Sequence, residues 1–114
     1  MKTQNFNPAD FDPLNSTAWM ELIASALQTK GLDAFVVHTG GGIYCISILK
    51  QDKGELLWGM AAETWGADDN DADGDLVGDG NGVWTSVSCD STDIADITAA
   101  IHDASVAHGA AVHN

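Results

Sequence analysis

Residues 68–82 read Asp-Asp-Asn-Asp-Ala-Asp-Gly-Asp-Leu-Val-Gly-Asp-Gly-Asn-Gly, and their types and spacing suit two kinds of chemistry. The first is cation binding. A hard cation such as Ca²⁺ takes about 6–8 oxygen ligands, and alternating aspartates around a glycine bend can supply several from one loop. Asp69, Asp71, Asp73, Asp75 and Asp79 are the candidate ligands. An EF-hand register started at Asp69 places acids at its first, third and fifth positions and Gly74 at the sixth. The twelfth position, which needs a bidentate glutamate, is Gly80, and the flanks read as strands, so the segment is not an EF-hand.

The second chemistry keeps the carboxylates apart. Along an extended chain, residues i and i+2 lie about 6.6–7 Å apart. A row of acids so spaced can occupy positions that nucleic-acid phosphates would take on a lysine- and arginine-rich surface. The candidate partner-binding residues are Glu63, Trp65, Asp68, Asp69, Asp71, Asp73, Asp75 and Asp79. Trp65 joins the acids because an aromatic ring beside them suits contact with arginine. Trp58 and Trp84 flank the segment too, and core packing is the competing role for each tryptophan. A solvated loop, kept soluble by its aspartates and glycines, is the bland alternative.

The core of this segment, Asp71-Ala72-Asp73-Gly74-Asp75-Leu76-Val77-Gly78-Asp79, resembles the calcium-binding thrombospondin type 3 repeat. The resemblance implies calcium held by these aspartates. It covers nine residues in one copy, with no cysteine in the loop, whereas that family forms secreted tandem arrays tied by disulfides.

Charge sets the context. Seventeen Asp and Glu face four Lys and no Arg over 114 residues, a formal net charge of −13. Seven of the acids fall between Glu63 and Asp79 with no base among them, so the charge is concentrated and not only spread over the surface. Such a chain repels nucleic acid and anionic membrane and attracts basic protein surfaces.

Nothing in the sequence assembles into a catalytic signature. Gly40-Gly41-Gly42 lacks the following lysine and helix of a phosphate loop and reads as turn chemistry. His38, His102, His108 and His113 form no H-x-x-x-H pair, and no Gly-x-Ser-x-Gly elbow or Cys-His signature occurs. The expectation is a protein without enzymatic activity that requires no cofactor, calcium being the candidate exception. Cys45 and Cys89 are expected as small buried residues, with a disulfide between them the other reading. The first residues carry no apolar run and no segment is long enough to span a membrane, so a cytoplasmic protein is expected.

The elements that must position the acids follow from periodicity. Residues 1–15, with Pro8 and Pro13, read as an irregular lead-in. Ser16 or Thr17 then opens a helix whose stripe is Trp19, Leu22, Ile23, Ala26 and Leu27, closed by Lys30 and Gly31. Ala34–His38 and Ile43–Leu49 form a hairpin across the glycine turn, Glu55–Ala62 a third strand, and Val83–Cys89 a fourth. Asp90 or Ser91 caps a second helix with Asp93 near its start, and Ile94, Ile97, Ile101 and Ala104 as its stripe. The expected fold is α+β, ordered α-β-β-β-β-α, an antiparallel four-stranded sheet with two helices on one face. A single domain over 16–107 carries an acidic loop at 66–82, and 108–114 is a frayed tail.

Across most of its length the chain also resembles small uncharacterised proteins of actinobacterial phages and their hosts. The likeness rests on the opening helix, the Ala34-Phe35-Val36-Val37-His38-Thr39-Gly40-Gly41-Gly42-Ile43 segment, a Trp-containing strand and a closing Asp/Ala/Ile helix. The resemblance implies a phage or mobile-element protein of the anti-CRISPR or anti-restriction kind, acting in the host cytoplasm. Its partner would be the basic site of a nucleic-acid-handling defence complex, with no direct binding to nucleic acid or membrane. The alternatives are a calcium module and an accessory phage protein that oligomerises through an open edge strand.

Overall fold

The computed structural model describes residues 13–40, 43–61, 64–77, 82–88 and 93–113. Helix α1 (Pro13–Thr29) leads into five strands, β1 (Ala34–Gly40), β2 (Ile43–Leu49), β3 (Glu55–Ala61), β4 (Thr64–Asn70) and β5 (Val83–Ser88), and α2 (Ile94–Ala107) follows. The strands form one antiparallel sheet in the order β1-β2-β3-β4-β5, a meander. The α+β class and antiparallel sheet agree with expectation; the strand count does not. The additional strand is β4, whose Thr-Trp-Gly-Ala-Asp-Asp-Asn sequence falls largely in what reads as loop. Its pairing with β3 places Trp65 and Ala67 inside the core, and that burial outweighs the poor strand propensity of Gly, Asp and Asn.

Alternation along the strands divides the sheet into two faces. Ala34, Ile46, Ile48, Leu56, Trp58, Trp65, Ala67 and Val83 are buried on one of them. They join Met20, Ile23, Ala24 and Leu27 of α1 and Ile97 and Ile101 of α2 in a single apolar cluster. Each Ile, Leu, Val or Met side chain among them contributes about 1.5–3 kcal/mol on burial. The α1 stripe is rotated from the expected one: Met20 and Ala24 face the core, whereas Leu22 is exposed. The side chain of Trp19 lies outside the described residues. Helix α1 also starts earlier than expected, with Pro13 in its first turn, where a missing N–H costs nothing.

Both helices end in the same way. Gly31 and Gly109 adopt φ of +98° and +94°, which only glycine takes without steric cost. Leu32 N–H then donates to Leu27 and Gly31 N–H to Gln28, and Ala110 and Gly109 repeat the pattern on Ser105 and Val106. The α2 N-cap is Asp93 itself, whose carboxylate accepts from the Ala95 and Asp96 N–H groups; Asp90 and Ser91 lie outside the described residues.

The tail after α2, expected to fray, is stitched in. Gln51 N–H donates to Gly109, Ala111 N–H to Leu49 and His113 N–H to Gly31, and Ala110 is 1% exposed. Buried Ala110 anchors this strap and buried Leu32 bridges its Val112, a signal too short for periodicity to register. Among the described residues no helix is long and apolar enough to cross a membrane.

Polar groups inside the core give a pair of opposite predictions. Ser105 is fully buried and its hydroxyl accepts from Trp58 Nε1 at 2.9 Å, tying β3 to α2. Ser105→Ala strands that indole N–H and should lower unfolding free energy by about 1–3 kcal/mol. Thr98 is 1% exposed and its hydroxyl meets no partner among the described residues. Thr98→Val keeps the shape and should raise stability by about 1 kcal/mol. Urea unfolding of the two variants reads both signs.

Candidate acidic interaction site

The acidic segment is a folded hairpin return. At its base Asn70 bridges Leu76, and Val77 N–H donates to the Asp69 carbonyl at 2.7 Å. Asp71 N–H donates to the Asp75 carbonyl and Gly74 N–H to the Asp71 carbonyl. The Asp71 carboxylate accepts from the Asp73 and Asp75 N–H groups at 3.0 and 2.9 Å. One carboxylate thus organises the turn, the local role in which aspartate excels.

Asp69 does something else. It pairs opposite Leu56, so its side chain points to the helix-covered face, where it is 14% exposed. There Lys50 Nζ donates to it at 2.6 Å, and Lys50 itself is 6% exposed. Asp52 stands 3.6 Å from the same ammonium, and His108 Nδ1 lies 3.9 Å from the other Asp69 oxygen. The α2 C-terminus comes up to the Lys50 stem, with the backbone of Lys50 bridged to Ala110, a position where the helix dipole favours a cation. Asp69 raises the ammonium pKa above 10.5 through its hydrogen bond, and burial opposes it. The carboxyl of Asp52 is held below 3.8 chiefly by the Gly54 N–H, 2.8 Å away, with Lys50 adding to the effect.

The expected site residues therefore separate. Asp68, Asp73 and Asp75 are exposed and Asp71 half-exposed, all on the return or at its entry. Asp69 is withdrawn into an internal ion pair and Trp65 is 0% exposed in the core, so neither can meet a partner. Glu63 and Asp79 lie outside the described residues, as does Cys89, and with it the question of a pairing to the half-buried Cys45. The metal set is likewise divided: Asp69 holds Lys50 and Asp71 holds backbone N–H groups. Among the described residues no group of three His, Cys, Asp or Glu side chains is placed to hold a metal ion.

Structure adds residues that the acid pattern did not reveal. The sheet face away from the helices carries Phe35, Leu49 and Trp84, which are 57%, 39% and 55% exposed. Trp84 lies flat over Gly66 of the neighbouring strand; a β-carbon there would stand 2.7 Å from Cζ3 of the ring. Near the return, Phe35, Ser47, Leu49 and Glu55 line an open groove of about 450 Å³ together with Asp33, Lys53 and Asp71. The β2–β3 turn presses against the return at Gly54, where any side chain would run into the Asn70 carbonyl. In the sequence Phe35, Leu49 and Trp84 read as ordinary strand residues, because the face they take is decided by strand pairing.

The internal pair makes a sharp prediction. Asp69→Ala removes the 2.6 Å charged hydrogen bond and leaves the ammonium only the exposed Asp52, 3.6 Å away, so it should cost about 1.5–3 kcal/mol. Lys50 has a raised folded pKa, so its contribution is complete below pH 10.5 and is lost as pH rises through the higher folded value. Urea midpoints measured up the alkaline range should show that fall, and Lys50→Met should lack it. Compared with known proteins, the chain matches no family model, no curated protein and no solved structure, so the reading of this site rests on its own residues.

Proposed function

We propose that this chain is a small acidic binding protein that engages a basic protein surface through the acidic return and the adjoining open sheet face. One observation carries the reading. The β4 register turns Asp68 to the open sheet face, and the Asp71 carboxylate folds the return so that Asp73 and Asp75 are exposed, at one end of a face that also bears exposed Phe35, Leu49 and Trp84. Carboxylates supply attraction and orientation, and aromatic and aliphatic side chains supply contact area. A net charge of −13 selects a cationic counterpart and opposes nucleic acid.

The partner class that fits best is a nucleic-acid-handling protein whose phosphate-binding surface the acids would occupy, an inhibitor's mode of action and one suited to a phage or mobile element. Capture from host lysate at low salt should yield a basic partner that both added salt and duplex DNA release, because all three compete for the same charges. Asp68→Lys, Asp73→Lys and Asp75→Lys together should abolish capture without unfolding the protein, since none of the three holds the core. Retention of the partner by that triple variant refutes the acidic-surface mechanism.

Calcium is the weaker reading, because Asp69 and Asp71 would have to leave their present partners to ligate it. A ligand that binds only the folded state raises its melting temperature in a saturable way. Millimolar Ca²⁺ should leave the melting temperature unchanged; a saturable rise would restore the calcium module.

A further inference from the structure

Resting on that reading, we propose that the groove between β1, the β2–β3 turn and the acidic return receives an arginine side chain from an extended basic segment of the partner. The groove has an apolar wall, Phe35 and Leu49, and an acidic rim, Asp33, Glu55 and Asp71. Asp33 Oδ2 meets His113 Nε2 at 2.8 Å and Asp71 Oδ1 holds the turn; each carboxylate of the rim keeps its second oxygen for a guanidinium. Its volume of about 450 Å³ falls within the ~300–1,000 Å³ range of clefts that bind small ligands.

The register explains why these groups converge. Phe35 pairs with Ser47 and Leu49 with Glu55, so all four stand on the face opposite the helices. The Ser47 hydroxyl donates to Glu55 at 2.6 Å, which anchors one carboxylate oxygen. The Gly54 contact draws Asp71 up to the same edge. Arginine matches this combination better than lysine. Its aliphatic stem packs on leucine, its planar guanidinium stacks on a phenyl face, and its forked N–H groups reach two carboxylates. Charge complementarity also speaks against a second copy of this chain as the occupant, because two molecules of net charge −13 repel. Lys53 is the cation in the lining, and it holds a left-handed backbone with φ of 75°.

The probe is a short peptide alternating arginine and alanine, titrated into the full chain at low salt by calorimetry, with its lysine counterpart alongside. The arginine peptide should bind more tightly than the lysine peptide. Phe35→Ser with Glu55→Gln should weaken it by about tenfold or more, the scale of losing a central contact. Both changes spare the fold, because Phe35 is exposed and the glutamine oxygen still accepts from Ser47. Asp96→Asn removes one charge from the exposed surface of α2 and should change affinity by far less. Lys53→Gly, which removes the cation and suits the left-handed backbone, should tighten binding.

Undiminished binding by the Phe35/Glu55 variant overturns the groove assignment. So does self-association of the free protein that Phe35→Ser abolishes, which would make a second copy the occupant. Binding lost only in the Asp68/Asp73/Asp75 charge reversal overturns the groove while leaving the basic-partner reading intact. No binding of either peptide by the unmodified chain at low salt removes both.

Discussion

The ion pair between Lys50 and Asp69 holds together the parts of the fold that local structure leaves loose. Lys50 follows β2 directly, its N–H donates to the Gly54 carbonyl, and its carbonyl accepts from Lys53 N–H. Its stem runs past Gly109, and its ammonium reaches β4. A buried pair of this kind adds little net stability over a well-packed apolar pair, but it is costly to break and therefore specifies position. A slip of one residue between β3 and β4 would turn Asp69 to solvent and Trp65 out of the core together. The lysine thus sets the register of the strand least suited by composition to be one.

That register also decides which carboxylates are available outside. Withdrawal of Asp69 leaves Asp68, Asp71, Asp73 and Asp75 on the surface, and Asp71 spends its oxygen on folding the return. The acids are displayed by backbone hydrogen bonds on a compact turn that Gly54 presses against the sheet. Such a scaffold lowers the ordering cost of binding compared with a free acidic loop. The same sheet closes its other face over a core joined to both helices, so one side is packed and the other exposes Phe35, Leu49 and Trp84.

Much of this was legible in the residues. The glycine-capped first helix, the hairpin of β1 and β2, the strands at Glu55 and Val83, and the Ile94-Ile97-Ile101 stripe all follow period and turn chemistry. What escaped was tertiary. Strand β4 is hidden because Asp68 and Asp69 look alike in sequence and face opposite ways in the sheet. The strap at 109–113 is hidden because backbone hydrogen bonds to Gly31, Leu49 and Gln51 leave no side-chain pattern. Which tryptophan is displayed escaped for the same reason: Trp65 is internal and Trp84 exposed, although both sit in strands beside the acids. Acid-rich composition marked the return, while the apolar half of the groove lay in Phe35 and Leu49, which read as ordinary strand residues.

The strap also bears on how the chain is made. His113 bonds to Asp33 and Gly31, some eighty positions earlier, and Gly109 and Ala110 close over the end of the molecule where Lys50 is buried. A ribosome releases residues in order, so the meander can form while Lys50 still has water on one side. The backbone bonds from Gln51 to Gly109 and from Ala111 to Leu49 can form only after residues 109–111 have emerged. Completion of the core is therefore a step that follows synthesis of the sheet, and a nascent chain halted before that point presents an unfinished, charged edge to the cell.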